Sequence, residues 1–149
     1  MIVLAGRRCW SCWLDGWPED ADALYAAAWV LNHGDLSEEA ALGSRLAARA
    51  AELGRPGARW LAAAALDRSL MYADRPQKFG TNIVSDGIGW RLWDVDPATT
   101  DAERLANDVP TLADMQARAA AITDPQPDPG GAPDSLRRAM RRWGTLPPE

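Results

Sequence analysis

The sequence predicts a mainly α-helical domain, a compact bundle with one short β-hairpin packed on it. Three observations predict it. Alanine recurs in runs, such as 26–28 and 62–65, and alanine favours helix and lets helices approach closely. Apolar residues recur at three- and four-residue spacing over much of the first half of the chain. A single Asp86-Gly87 step, flanked by β-branched and aromatic residues, is a strong hairpin signal. The eight tryptophans supply large rings for the gaps that small side chains leave, since interiors are close-packed.

The elements follow in order. Trp10, Trp13, Leu14 and Trp17 trace a short helical stripe. Pro18 suits a first helical turn, and Glu19, Asp20 and Asp22 place negative charge where the dipole favours it. Leu24, Ala27, Ala28 and Leu31 trace the face of this helix, and Gly34 ends it. Asp35 and Glu38 have capping-box spacing for the next helix, with Leu42, Leu46, Ala50 and Leu53 inward. Gly54 and Pro56 stop it. A third helix runs from about Gly57 to Ala73. It is apolar on two sides, which marks it as central and well buried.

Arg75-Pro76 ends the helical pattern, because the residue before proline is pushed out of the α region. The hairpin lies near 82–93, with Ile88, Trp90 and Leu92 facing the core and Arg91 facing out. Two strands alone are marginal, so the hairpin must lie on the helices. Thr100 and Glu103 have capping-box spacing. Pro110-Thr111 precedes a short helix with Leu112, Met115 and Ala119 inward. Residues 124–133 are rich in proline and glycine and read as a linker. In 134–144, Leu136, Ala139, Met140 and Trp143 form one face of an Arg-rich amphipathic helix, a docking helix or an interaction tail. The organisation is a globular domain over 1–123, a linker, and that helix.

At 149 residues the chain can bury a real core without a metal or disulfide staple. Its net charge of -5 lies wholly before residue 124, so the main body lacks the basic field that binds phosphate backbones. No nucleic-acid partner is expected. No apolar run approaches the ~20 residues needed to span a bilayer, and Arg7 and Arg8 follow the apolar start where a signal peptide would have them first. The expectation is a cytoplasmic protein with no membrane role.

Cys9-Trp10-Ser11-Cys12 has the spacing of zinc ligands and redox dithiols. A closed zinc site needs four ligands and no second pair appears; a redox dithiol wants a βαβ context that is missing. Ordinary cysteines are the favoured reading, with no metal and no cofactor. His33 is the only histidine, the side-chain type suited to general acid or base work near neutral pH. At a helix terminus it can equally cap carbonyls. Asp67-Arg68 lies in the most buried helix, where charges are paired or functional. Gln77, Thr81 and Asn82 sit in a loop that can orient a polar substrate or form a hydrogen-bonded corner. Gly80 permits backbone conformations closed to other residues. Asp94 and Asp96 could chelate a hard cation; capping of the following turns is the plainer reading.

These residues also carry a resemblance. Gly16-Trp17-Pro18, Asn32-His33-Gly34-Asp35, Asp67-Arg68, Gln77-Lys78-Phe79-Gly80-Thr81-Asn82, Asp96-Pro97, Arg104 and Pro110-Thr111-Leu112 together resemble the bacterial DUF6624 family, a domain of unknown function, over roughly residues 16–119. The family often has tyrosine and glutamine where Phe79 and Asn82 stand, and a double arginine where Glu103-Arg104 stands. The resemblance implies that His33, Asp67, Arg68, Gln77 and Thr81 meet in one place.

Two function classes follow. In a small-molecule enzyme of the hydrolase or lyase class, His33 acts as acid or base, Asp67 assists it and Arg68 holds an anionic group. Gln77, Thr81 and Asn82 then position the substrate, with Trp29 and Trp90 as apolar wall. The alternative is a non-catalytic small-molecule-binding or protein-interaction accessory protein. Its expected partners are a polar or anionic small molecule, a protein, or a second copy engaged through residues 134–144.

Overall fold

A computed structural model describes residues 19–148. Six α-helices lie among them: α1 (Ala21–Asn32), α2 (Ser37–Glu52), α3 (Ala58–Tyr72), α4 (Asp101–Ala106), α5 (Leu112–Ala120) and α6 (Asp134–Arg142). Strands β1 (Ile83–Ser85) and β2 (Trp90–Leu92) form an antiparallel hairpin between α3 and α4. The fold is a mainly α-helical bundle with a small hairpin packed on it, as the periodicities predict. The Trp10 to Trp17 stripe, Cys9 and Cys12, Gly16 and Pro18 lie outside the described residues.

Local chemistry sets the helix ends. The Asp20 carboxylate accepts from the Ala23 N–H at 2.9 Å and caps α1, a contact worth about 1 kcal/mol. α2 begins one residue later than the Asp35/Glu38 spacing suggests. Glu39, not Glu38, reaches back, accepting from the Leu36 N–H at 3.4 Å. Gly34 leaves room for it, since a Cβ there would lie 2.2 Å from the Glu39 carboxylate. α2 closes on a Schellman pair, Arg55 N–H to Ala50 C=O at 2.9 Å and Gly54 N–H to Ala51 C=O at 3.0 Å.

Helix α3 is central, and two cores lie on its two sides. On one side Leu24, Ala28, Leu42, Leu46, Ala47 and Leu61 pack α1 and α2 onto it. Gly43 sets the approach of α2 to α1: an added Cβ would meet the Ala28 carbonyl at 3.1 Å and the Leu31 Cβ at 3.2 Å. On the other side Ala63, Phe79, Leu92, Val109, Met115 and Ala119 join the hairpin and α5 to α3. The alanines of α3 let both layers come close, and Trp60 packs against both cores.

The hairpin register pairs Ile83 with Leu92, Val84 with Arg91 and Ser85 with Trp90. Its turn is longer than a two-residue Asp-Gly loop. The Asp86 N–H bonds the Gly89 carbonyl at 3.0 Å, and the Asp86 carboxylate accepts from the N–H groups of Ile88 and Gly89 at 2.9 and 2.8 Å. This aspartate turn carries Ile88 to the tip, where it is 77% exposed instead of facing the core. Leu92 is buried and Trp90 half-buried.

The 124–133 segment is fastened to the body. In the orientation that matches donors to acceptors, the Gln126 amide donates to Ser85 Oγ and to the Gly89 carbonyl, and its oxygen accepts from the Trp90 indole at 2.8 Å. A 3₁₀ turn at Pro129–Gly131 follows, capped by Asp128. α6 then lies back on the body and buries Ala139 and Met140. Among the described residues no helix is long and apolar enough to cross a membrane.

Candidate functional site

The densest polar constellation centres on Asp67. Its position in α3 is fully buried, and its carboxylate faces the loop that leaves the helix. Oδ1 accepts from the N–H groups of Lys78 and Phe79 at 2.8 and 2.9 Å. Oδ2 accepts from the Thr81 N–H at 2.9 Å and the Thr81 hydroxyl at 2.8 Å. Gly80, at φ +90°, turns the chain so that donors on both sides of it converge on one carboxylate. Burial pushes the Asp67 carboxyl above the usual aspartate range; the hydrogen bonds from Phe79, Thr81 and Lys78 oppose that push.

Gln77 is as completely enclosed. Its amide nitrogen donates to the carbonyls of Asn82 and Trp93 at 3.1 and 2.9 Å. Its amide oxygen accepts from the Asn82 N–H at 2.8 Å. Its own N–H donates to the Asp94 carbonyl and its carbonyl accepts from Asp96, both at 2.8 Å. One side chain thus stitches the loop to the strand that returns beside it. Asn82 takes part through its backbone, and its side-chain Nδ2 is buried with no hydrogen-bond partner among the described residues; the Gln77 amide and the Thr81 hydroxyl are taken up by the fold.

A residue the sequence marks only through the family resemblance completes this network. Arg104 on α4 is buried, and its guanidinium donates to the Phe79 carbonyl at 2.9 Å and the Thr99 carbonyl at 2.9 Å. It also pairs with Asp101 at 3.1 Å. Asp101 in turn accepts from the Leu112 N–H at 2.9 Å. That bond holds the Asp101 carboxyl below the usual range, with the Arg104 hydrogen bond and charge adding to it against burial.

His33 lies elsewhere, exposed just beyond the end of α1. Its ring stacks on Trp29, centroids 5.5 Å apart. Nδ1 is 2.8 Å from the Trp29 carbonyl. A carbonyl only accepts, so Nδ1 carries the proton there and Nε2 is left facing outward. Arg68 donates to the carbonyl of Asn32, the residue before His33, at 2.7 Å. Trp29 and His33 form one group, with Arg68 bound to the adjoining Asn32 carbonyl, and Asp67, Gln77, Thr81 and Asn82 lie around a second, the loop at 77–82. Asp67 and Arg68 are neighbours whose side chains diverge by about 100° around α3. Trp90 belongs to neither group; its single indole N–H is shared between the Gln126 amide oxygen at 2.8 Å and the Asp124 carbonyl at 3.0 Å.

Comparison with protein-family models, curated proteins and solved structures returned no match. The functional reading of this chain therefore rests on its own geometry.

Three clefts are lined by other residues. An open one of about 1030 Å³ runs along α6 between Arg137, Arg138, Arg141 and the 144–148 tail. A second, about 420 Å³, lies between Ser85, the 127–133 segment and Met140. The third, about 330 Å³, lies between the hairpin and α5 and includes Trp90 with Arg91 and Gln116. Among the described residues no group of three or more His, Cys, Asp or Glu is placed to hold a metal ion. Asp94 and Asp96 do not act as a pair: Asp96 accepts from the Ala98 N–H at 2.9 Å, and Asp94 faces α6.

That last contact is the feature sequence reasoning missed. Asp94 accepts from Arg142 at 3.0 Å and from the Trp143 indole at 2.8 Å. Asp74, at the end of α3, accepts from Arg138 at 3.0 Å and Arg142 at 3.3 Å. Burial raises the Asp74 carboxyl, but the two arginines outweigh it and hold the group below the usual range. Trp143 packs edge-on against Trp93, with centroids 5.7 Å apart, and Arg91 lies 4.0 Å over the Trp143 ring.

Proposed function

We propose that this chain is a non-catalytic interaction protein, and that its most distinctive polar motif serves the fold. The observation that carries this reading is the Asp67 carboxylate, taken up by four donors from its own loop. A catalytic acid, base or orienting carboxylate needs at least one lone pair or proton directed at a reacting group. Gln77 likewise spends both ends of its amide on backbone. The resemblance to DUF6624 gains a physical content here: an Asp on the central helix and a Gln-x-aromatic-Gly-Thr-amide loop are the two halves of one lock. Membership of that family and a cytoplasmic location are part of the proposal.

The hydrolase or lyase reading keeps one specific support, the outward Nε2 of His33 beside Trp29 and Arg68. One experiment separates the two. Purified full-length protein and its His33→Ala variant are assayed against a panel of ester, amide, phosphoester and lyase substrates. The interaction reading expects no turnover that depends on His33. Turnover by the parent that falls 100-fold or more in the variant, with the fold intact, would overturn it.

A further inference from the structure

Helix α6 is held by its buried Ala139 and Met140 and by the tips of its long side chains. Arg138 and Arg142 clasp Asp74 and Asp94 from 48 to 68 residues away. Trp143 adds an indole bond to Asp94 and an edge contact with Trp93. Met140 is buried at the backbone of Gly87, where an added Cβ would meet its methyl at 3.0 Å. The receiving surface is thus two carboxylates flanking a tryptophan, and the incoming helix supplies two guanidinium groups and an indole one turn apart. Charge and shape are complementary on both sides.

The receiving surface is also built at some conformational cost. Asp74 sits at φ +56° after the last turn of α3, the left-handed position that glycine or asparagine ordinarily fills. Placing a carboxylate there puts it under Arg138 and Arg142. The tether supports exchange. Gln126 is pinned to the hairpin, so the hinge for an exchange is 127–133, which contains Pro127, Pro129, Gly130, Gly131 and Pro133 and carries the 3₁₀ turn in the closed chain. Extended, seven residues reach about 23 Å, and the prolines favour extended backbone.

We propose that the Asp74–Trp93–Asp94 surface is a receptor for the α6 helix of a second copy of this chain, so that two chains exchange their C-terminal helices. The clasp contacts made in trans are those made in cis, so exchange costs only the turn contacts of the 127–133 hinge and is governed by chain concentration and tether freedom. The proposal names the partner for the interaction reading and rests on it.

The test uses two full-length variants. Asp74→Asn with Asp94→Asn disables the receptor and leaves α6 intact. Arg138→Ala with Arg142→Ala disables the helix and leaves the receptor intact. Each alone lacks the clasp, whereas a mixture restores one complete receptor–helix pair in trans. Sedimentation velocity at low salt should show the mixture associating at least ten-fold more tightly than either variant alone. The wild-type dimer fraction should rise with concentration, and association in the mixture, where no cis clasp competes, should fall in 0.5 M salt, which screens exposed charge pairs (about 4 Å Debye length). A mixture no more associated than its components, or a component that dimerises as well alone, overturns the proposal. Should a double variant unfold by circular dichroism, the single pair Asp94→Asn and Arg142→Ala is read in the same way. A monomeric mixture sinks only the exchange, while His33-dependent turnover sinks the interaction reading beneath it.

Discussion

The Asp67 carboxylate accepts from both the main-chain N–H and the side-chain hydroxyl of Thr81, at 2.9 and 2.8 Å. The two residues are 14 apart in sequence, and Gly80 lies in the turn that brings them together. This contact, with the two from Lys78 and Phe79, decides how the polar loop is understood.

Removing the charge at this point should be costly. In Asp67→Asn an amide nitrogen must face N–H or O–H donors, which leaves buried groups unpaired. The expected loss is about 3 kcal/mol or more, from hydrogen bonds to a charged acceptor with buried donors left behind. Thr81→Val keeps the backbone bond and should lose about 1–2 kcal/mol. Urea denaturation of both variants checks the order; equal effects would contradict it.

Arg104 should be intolerant even of lysine. Its fork reaches two carbonyls, of Phe79 and Thr99, and the Asp101 carboxylate, and an ammonium cannot reproduce that planar arrangement. Arg104→Lys should lose about 2–4 kcal/mol, since breaking a buried ionic network strands its partners. The same urea measurement tests it, and a loss under about 1 kcal/mol would show the fork to be dispensable.

Acid should release α6 before the bundle unfolds. The Asp74 carboxyl is held below the usual aspartate range by Arg138 and Arg142 against the push of burial. Its folded form therefore resists protonation. That stability is fully present above the usual range and is lost as pH falls through the lowered folded value. Hydrogen-exchange protection factors at the amides of 139–143, corrected for the intrinsic rate at each pH, should fall on acidification while α3 stays protected. In Asp74→Asn those amides should exchange faster at neutral pH, and the Asp74-dependent part of the acid response should disappear.

His33 should be nearly neutral for stability. It is exposed, and its ring contributes one stack on Trp29 and one carbonyl contact. His33→Ala should change the unfolding free energy by no more than about 1 kcal/mol. A thermal or urea midpoint shift well beyond that would mean that the ring holds more than its local turn.

Much of the fold was legible from residue spacing. Leu24, Leu42 and Leu46 mark the inward faces of α1 and α2, and Thr100 with Glu103 forms the cap of α4 as its spacing predicts; Leu53, expected inward, is exposed at the end of α2. Local pattern failed where a side chain overrode it. Asp86 gathers the N–H groups of Ile88 and Gly89 and moves Ile88 to the tip; Glu39 displaces Glu38 as the residue that reaches back at α2.

The candidate site was legible only in part. Asp67 and Thr81 do meet, because a buried charge must find donors and the nearest lie in the loop that leaves its own helix, while Gln77 ties the same loop to Asn82 and Trp93. Sequence could not assign their donors to backbone or to ligand, since a short polar loop has the same composition in both cases. The Asp74–Arg138 and Asp94–Trp143 contacts span 64 and 49 residues and carry no local signature. The arginines of α6 mark a docking helix or an interaction tail in the sequence, but which surface Arg138 and Arg142 meet is legible only once Asp74 and Asp94 are placed.

The central claim is that the Asp67 carboxylate is committed to its own loop. Native-state hydrogen exchange at the amides of Lys78, Phe79 and Thr81 tests it most directly. The account predicts that all three exchange only as slowly as the innermost amides of α3, and that Asp67→Asn speeds them by orders of magnitude more than it speeds α3. Exchange at the rate of an open loop in the parent protein would contradict it, and would return that carboxylate to the pool of groups free to meet a ligand.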